Sequence, residues 1–205
     1  MGNCDVRVIS GEAHGRRISA PRGLVTRPAT ARVRASIFSR LASRFELEGA
    51  HVLDLFAGSG SLGLEALSRG AAHATFVDSS RTATTAIARN LRATGFDSRA
   101  RVLALEVKRA LSELAAAGER FDLIFVDAPY RSDSSAAVLA ILADSRLVTL
   151  EGWTVVRQFH RAPALAPAGF ECVSVANLGD HRIALYRRLE QPPKMSSDGL
   201  HGEQS

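Results

Sequence analysis

A glycine-rich stretch is the clearest candidate for a ligand-binding loop. It reads Asp54-Leu55-Phe56-Ala57-Gly58-Ser59-Gly60-Ser61-Leu62-Gly63 and begins inside an apolar run. Glycine permits a sharp turn and lets the backbone approach a ligand where a Cβ would collide. The helix predicted after the turn presents free amide groups at its N-terminus. We therefore expect a ligand at this strand–helix junction.

Acidic residues on either side of the glycines narrow the class of ligand. Asp78 is expected to end the next strand, where a carboxylate can accept hydrogen bonds from both hydroxyls of an adenosine ribose. The GxGxxG spacing indicates a nucleoside cofactor without saying which one. A dinucleotide would place its pyrophosphate at the helix terminus. S-adenosylmethionine carries an ammonium group instead, and Asp54 could help supply an acceptor for it.

A second candidate site is Asp127-Ala128-Pro129-Tyr130, which follows the apolar run FDLIFV. It is close to the Asp-Pro-Pro-aromatic motif of enzymes that methylate exocyclic amines of nucleobases. Such an amine is a poor nucleophile because its lone pair is delocalised into the ring. The Asp127 carboxylate and the carbonyl of Ala128 can accept from its two N–H groups, and Tyr130 can stack on the base. Ala128 replaces a proline of the motif, although Pro129 still favours extended backbone before it.

The predicted elements bring these two sites together. Helices are predicted over 29–45, 62–69, 82–94, 107–117 and 134–143, with strands over 51–56, 74–77, 100–105, 121–126, 153–159, 171–175 and 182–187. A short hairpin is predicted at 6–9 and 16–19. Strands that alternate with helices indicate a mostly parallel sheet covered on both faces. Ligands bind at the carboxyl ends of such strands, so Asp127 and the glycine loop should share one crevice.

Positive charge is concentrated near the N-terminus. The formal net charge is +5, and residues 1–45 hold nine arginines against Asp5 and Glu12. A basic arm on a near-neutral body suggests a polyanionic partner, most often nucleic acid. A solvated face is the alternative, because a coding bias toward arginine would give the same composition.

Several other classes of protein are disfavoured. No apolar run reaches the roughly 18 residues of a membrane helix. The two cysteines, Cys4 and Cys172, lie far apart in the sequence and form neither a disulfide framework nor a metal-ligand pair. We therefore expect the protein in a reducing cytoplasm. The six histidines show no metal-ligand spacing, and we expect no metal. Residues 191–205 are rich in Pro, Ser and Gly and are expected to be a disordered tail.

Several blocks of sequence together resemble one family. The resemblance covers roughly residues 6–190 and lies in Arg7-Val8-Ile9-Ser10-Gly11, Gly15-Arg16-Arg17, Arg27-Pro28-Ala29-Thr30-Ala31-Arg32-Val33-Arg34, the run from Phe56 to Arg69, and Asp127-Ala128-Pro129-Tyr130. The chain resembles the RsmD family of bacterial 16S ribosomal RNA guanine-N2 methyltransferases.

This resemblance implies an α/β fold: a seven-stranded Rossmann-like (class I) S-adenosylmethionine-dependent methyltransferase with a reversed last strand and an N-terminal β-hairpin/helix extension. Residues 1–45 would be the RNA-binding extension and 46–190 the methyltransferase domain. The implied donor is S-adenosyl-L-methionine and the implied acceptor a guanine of 16S rRNA in the small ribosomal subunit. Nothing in the sequence requires a dimer.

The resemblance and the motifs give three sets of candidate residues. The catalytic candidates, which would hold the target base, are Asp127, Ala128, Pro129 and Tyr130. Cofactor candidates are Asp54, Phe56, Ala57, Gly58, Ser59, Gly60, Gly63, Asp78, Ser79, Glu106, Val107 and Asp127, of which Glu106 and Val107 would lie by the adenine. RNA-contact candidates are Arg7, Arg16, Arg17, Arg27, Arg32, Arg34 and Arg131. Arg34 could equally brace the N-terminal helix against the sheet.

Rival interpretations remain at this point. A DNA adenine or cytosine amino-methyltransferase would use the same two sites, although no DNA-recognition domain is evident. An NAD-dependent dehydrogenase is a further alternative, but Asp127 and Tyr130 would have no role in its reaction. A non-catalytic RNA-binding protein with the same fold is compatible with Ala128 in place of proline.

Overall fold

The computed structural model describes residues 6–21, 29–129 and 134–189. Within these ranges the chain forms nine strands, five helices and one turn of 3-10 helix at Asp97–Arg99. The strands are β1 Val6–Arg7, β2 Arg17–Ile18, β3 His51–Leu55, β4 His73–Val77, β5 Ala100–Leu103, β6 Phe121–Val126, β7 Val148–Phe159, β8 Phe170–Leu178 and β9 His181–Arg188. The helices are α1 Ala31–Ala42, α2 Ser61–Ser68, α3 Arg81–Thr94, α4 Val107–Ala116 and α5 Ser134–Asp144.

Seven strands form one sheet in the order β5-β4-β3-β6-β7-β9-β8. Strands β3 to β7 pair in parallel, whereas β9 runs antiparallel to both of its neighbours. The central strands β3 and β6 are apolar along most of their length because both of their faces are covered. This topology confirms the predicted seven-stranded Rossmann-like fold with a reversed last strand.

Helices cover the two faces of the sheet with separate apolar layers. One layer contains α1, α2, α3 and the hairpin formed by β1 and β2. The other contains α4 and α5. The predicted helices on both faces are therefore confirmed.

The hairpin packs on α2 through a buried carboxylate. Glu65 is fully buried and accepts hydrogen bonds from the backbone N–H groups of Ile9 (2.8 Å) and Ser10 (3.0 Å). Gly11 lies against the carbonyl of Ser68, where an added Cβ would be 1.6 Å from the oxygen. The hairpin thus shares the core of the sheet.

Most strand boundaries differ from the predicted ones, usually by one to three residues, and two of the differences, in β3 and β7, have identifiable reasons. Strand β3 ends at Leu55 and not at 56, because Phe56 has a φ of 57° and cannot continue an extended strand. Strand β7 begins at Val148 and not at 153, because its pairing with β6 continues across an irregularity between Phe121 and Leu123. The irregular pairing interrupts the alternation of buried and exposed residues, so the first part of β7 could not be predicted from that alternation.

No helix in the described ranges is long and apolar enough to cross a membrane. Cys172 is exposed and has a free thiol. Cys4 and the predicted tail at 191–205 lie outside the described residues.

Candidate active site

Three carboxylates meet at the carboxyl edge of the parallel sheet. Asp54 lies on β3, and Asp78 and Asp127 are the first residues after β4 and β6, the two neighbours of β3. The N–H of Asp127 points to the carbonyl of Leu55 at 3.4 Å, so the sheet hydrogen bonding continues to this residue. The topology therefore brings together acidic residues that are far apart in sequence.

Two residues directly after β3 have left-handed backbone at the start of the glycine turn. Phe56 and Gly58 have φ values of 57° and 56°. The turn closes where the N–H of Gly60 donates to the carbonyl of Ala57 at 2.7 Å. A left-handed conformation is costly for phenylalanine, and such strain is concentrated at ligand-binding sites. The backbone conformation of Phe56 directs the chain away from the sheet edge and into the turn.

The three glycines of the turn have different surroundings. Among the described residues, a Cβ at Gly58 would meet only the carbonyl oxygen of Phe56, at 3.9 Å, so this position can admit a ligand close to the backbone. A Cβ at Gly63 would lie 2.4 Å from the Phe76 ring, so Gly63 serves the close packing of α2 on β4. Gly60 is also buried, with Phe76 3.2 Å from an added Cβ.

Asp54 is buried beneath the turn. Its Oδ2 accepts a hydrogen bond from the N–H of Gly63 at 2.9 Å. Burial raises the pKa of Asp54 well above its usual value of 3.8; the Gly63 hydrogen bond opposes this rise, and the negative charges of Asp127 and Asp78 add to it. A cation beside Asp54 would stabilise its ionised form.

Asp78 ties the glycine turn to the start of α3. Its two oxygens accept from the N–H groups of Gly58 and Ser80, each at 2.9 Å, and Ser80 caps α3. A carboxylate has about four lone-pair sites, so Asp78 can still accept from a ligand. The neighbouring Ser79 is exposed.

The remaining cofactor candidates lie at the same edge. Glu106 caps α4 by accepting from the N–H groups of Lys108 and Arg109, and the side chain of Val107 is buried in the apolar layer below. Ala57 is half-buried, and Ser59 is buried with its carbonyl accepting from Asn90. Their contact with a cofactor stays a prediction.

Asp127 has a partner that the motif did not suggest. Arg157 on β7 donates from Nε to Oδ1 at 2.5 Å and from Nη2 to Oδ2 at 2.7 Å, in a forked arrangement. The side chain of Arg157 is only 5% exposed and that of Asp127 16%. A lone arginine within the apolar strand TVVRQF was the available signal, because a buried guanidinium requires a partner.

Only part of the Asp-Ala-Pro-Tyr motif is described. Ala128 is buried and Pro129 exposed at the carboxyl end of β6. Tyr130 lies outside the described residues, as do the RNA-contact candidates Arg27 and Arg131.

The described RNA-contact candidates divide by exposure. Arg7, Arg16, Arg17 and Arg32 are exposed. Arg34 is fully buried and donates to the carbonyls of Ala29 (2.7 Å) and Arg7 (2.5 Å). Burial lowers the pKa of Arg34, and the charge of Glu65 opposes that shift. The structure therefore gives Arg34 the bracing role, and its prediction as an RNA contact does not fit a guanidinium enclosed by protein.

No group of three or more His, Cys, Asp and Glu residues in the described ranges has an arrangement that could hold a metal ion.

Comparisons with known proteins agree with this architecture. The family model described as "Conserved hypothetical protein 95" matches residues 6–187. Ribosomal RNA small subunit methyltransferase D of Escherichia coli (strain K12) is 39% identical over 191 residues, which cover 93% of each chain.

Solved structures share the fold. The Escherichia coli protein yhhF has a TM-score of 0.77 at 35% identity and covers 91% of this chain and 99% of its own. SMU.776, solved in complex with SAH, has a TM-score of 0.58 at 13% identity, with 71% of this chain and 48% of that chain covered; it shows the fold alone. The family match and the near full-length identity show that the chain belongs to the RsmD family, that of ribosomal RNA small subunit methyltransferase D.

Proposed function

We propose that this protein transfers a methyl group from S-adenosyl-L-methionine to the exocyclic N2 amine of a guanine in small-subunit ribosomal RNA. The observation that carries the proposal is the place of Asp127: it follows β6, beside Asp54 and the glycine turn, in a chain that matches methyltransferase D over 93% of its length. The guanine specificity and the donor are inferences from this arrangement and from the family.

The residues of the glycine turn fit the proposed cofactor. Gly58 leaves room for a close backbone approach, Asp78 keeps lone pairs for the ribose hydroxyls, and Asp54 is a buried acceptor for an ammonium group. When bound, the cofactor would supply an electrophilic methyl group on a sulfonium. SMU.776, which shares the fold, is complexed with SAH. The same donor chemistry therefore suits this chain.

Asp127 and the carbonyl of residue 128 are the proposed acceptors for the target amine. Accepting from both N–H groups draws the nitrogen toward tetrahedral geometry and frees its lone pair. Arg157 takes one lone pair from each oxygen of Asp127, and the others remain available. No strong base is required, because the amine becomes acidic only once the new N–C bond has formed. Positioning then supplies much of the rate.

The basic extension at residues 1–45 is the proposed RNA-binding region, and residues 46–190 form the proposed methyltransferase domain. Exposed arginines of the hairpin and α1 would contact phosphates, which position an RNA without reading its sequence. The target base would be looped or unpaired, where turning it outward costs little. We expect a cytoplasmic monomer.

Transfer of labelled methyl groups tests the proposal. The wild-type protein should label small-subunit particles that lack the modification and should not label duplex DNA. Asp127→Ala should abolish transfer while S-adenosylhomocysteine, but not NAD, still raises the melting temperature of the variant. Labelling of DNA would favour the DNA methyltransferase. Cofactor binding without any transfer would favour a non-catalytic RNA-binding protein.

A further inference from the structure

Helix α3 carries a stripe of arginines on its exposed face. Arg81, Arg89 and Arg92 are exposed, and Arg81, Thr85, Arg89 and Arg92 follow the i, i+4, i+8, i+11 spacing that aligns side chains along one side of a helix. The stripe spans about 16 Å at 1.5 Å per residue. No acidic residue occurs in Arg81–Thr94, so the charge of this face is positive throughout.

Most other arginines form a hydrogen bond or an ion pair, but within the described ranges the three guanidinium groups of the stripe form neither. Two exposed arginines elsewhere pair with carboxylates, Arg109 with Glu113 and Arg187 with Glu151. Within the described ranges, no carboxylate lies within 4.0 Å of the guanidinium nitrogens of Arg81, Arg89 or Arg92, whose side chains also form no hydrogen bond. Their charge is therefore available to an anionic partner.

A cavity of about 400 Å³ lies beside this stripe. It separates α3 from Ala20 and Pro21, and among the described residues that line it the charged ones are Arg81 and Arg89. The hydroxyl of Thr85 donates to the carbonyl of Arg81 and that of Thr82 is hydrogen-bonded to Ser80, so the charged donors that face a ligand are the guanidinium groups of Arg81 and Arg89. A concave surface with two guanidinium groups suits a phosphate, which accepts their forked hydrogen bonds.

The stripe connects the carboxyl edge of the sheet with the hairpin. Its first residue, Arg81, follows Ser80, whose N–H donates to Asp78 at that edge. Near its other end, Arg16 of the hairpin donates to the carbonyl of Ala93 at 3.2 Å. The hairpin and α3 thus form one basic surface that begins beside the proposed active site.

We propose that the α3 stripe (Arg81, Arg89 and Arg92) binds the sugar-phosphate backbone of the RNA that flanks the methylated base. This inference rests on the proposed function. A backbone that runs from the crevice along α3 to the hairpin is held by successive guanidinium–phosphate contacts, which fix its register without reading sequence. The arginines lie outside the basic arm at 1–45, so they enlarge the RNA-contact surface beyond it.

Salt dependence of RNA binding tests the stripe. The variant Arg81→Gln/Arg89→Gln/Arg92→Gln is compared with Arg109→Gln/Arg120→Gln/Arg146→Gln, which removes the same charge from exposed arginines elsewhere. The probe is in vitro transcribed 16S rRNA, titrated from 50 to 300 mM KCl. Three lost contacts should lower the magnitude of the slope of log K against log[salt] by about 2, and affinity near physiological salt should fall roughly ten- to fiftyfold. The control variant should keep a slope near that of the wild type.

Equal slopes for the two triple variants, or an unchanged slope for the α3 variant, would overturn the inference. The S-adenosylhomocysteine thermal shift should persist in both variants, which verifies that each is folded with an intact cofactor site. If the wild type methylates rRNA while the α3 variant binds RNA as tightly as the wild type, only this inference fails. If the wild type methylates neither 16S rRNA nor small-subunit particles that lack the modification, the proposed function fails as well.

Discussion

Arg157 and Asp127 form the most distinctive pair of residues at the candidate site. The fork holds both oxygens of Asp127 in a fixed plane and balances its charge in a largely buried place. A carboxylate free to rotate would present its lone pairs in many directions. We infer that Arg157 is a positioning residue, which acts on the target amine through Asp127.

Substitution of Arg157 should therefore affect turnover more than RNA binding. Arg157→Met should lower kcat by about 10²-fold, the scale of a misplaced catalytic group, with a small change in KM for RNA. Arg157→Lys retains the charge without the fork and should recover part of kcat. Steady-state kinetics of methyl transfer measures both constants. A wild-type kcat in Arg157→Met, or a loss confined to KM, would show that the pair does not position Asp127.

The raised pKa of the buried Asp54 predicts that the stability of the folded protein depends on pH. Because burial raises its pKa in the folded state, the folded protein binds this proton more tightly than the unfolded chain does. The contribution of Asp54 to the free energy of unfolding is therefore largest below the unfolded pKa and falls as pH rises toward the folded pKa. Asn at this position keeps an acceptor for Gly63 and carries no charge.

Asp54→Asn should accordingly raise the melting temperature at neutral pH, with a gain that shrinks as pH falls toward 4. Each kcal/mol corresponds to about 2–4 °C in a chain of this size. The same variant should bind S-adenosylhomocysteine more weakly, because the acceptor for the ammonium loses its charge. Melting curves from pH 4 to 8, with and without that ligand, make the comparison. A pH-independent difference in melting temperature would argue against a raised Asp54 pKa.

At the residue scale, the three acidic residues of the site were predicted from the sequence, but the pairing of Asp127 with Arg157 was not. Asp54, Asp78 and Asp127 each follow from a local pattern of strand and turn. The pairing of Asp127 with Arg157 depends on the parallel alignment of β6 with β7 and on side-chain direction. Neither is encoded in a short motif. Arg34 is a second example. Whether its side chain is buried depends on the hairpin that packs over it, and the local sequence does not show that packing.

At the element scale, the docking of the hairpin on α2 depends on Gly11. An added Cβ there would lie 1.6 Å from the carbonyl oxygen of Ser68, whereas a Cβ at Gly15 would meet nothing within 4 Å. Both glycines have left-handed backbone, with φ values of 83° and 79°. Gly15→Ala is thus a matched control that carries the backbone cost without the clash.

Gly11→Ala should destabilise the protein more than Gly15→Ala. The control should lose about 1–2 kcal/mol from its left-handed backbone alone. The clash at Gly11 adds to that loss, because displacing the hairpin also deprives the buried Glu65 carboxylate of the Ile9 and Ser10 N–H groups. Urea unfolding of the two variants measures the difference. Equal losses in the two variants would mean that the hairpin does not need this close contact.

The order and type of the elements were predictable because each strand or helix has its own apolar period. Helix α3 begins after the Ser80 cap and ends at Thr94, before the Gly95 C-cap, and both signals are visible in the sequence. The docking of the hairpin was not predictable, since it depends on Glu65, which lies more than fifty residues away. The first half of β7 was missed because its pairing with β6 is irregular.

At the scale of the whole molecule, charge is divided between the two faces of the sheet. Helices α1 and α3 each contain three arginines, of which only Arg34 of α1 is buried, and no acidic residue, whereas α4 on the other face carries Lys108, Arg109 and Glu113. The near-neutral composition beyond residue 45 concealed this division, because a sum over the sequence does not record which helices share a face. One basic face beside the carboxyl edge suits an RNA whose target base enters the crevice.

The identity of the methylated nucleoside tests the account most directly. Small-subunit particles that lack the modification are incubated with wild-type protein and labelled donor, their 16S rRNA is digested, and its nucleosides are separated by chromatography and mass. We expect label in N2-methylguanosine with the wild type and none when Asp127→Ala replaces it. Label in a methylated adenosine or cytidine, or an undiminished N2-methylguanosine signal from Asp127→Ala, would contradict it.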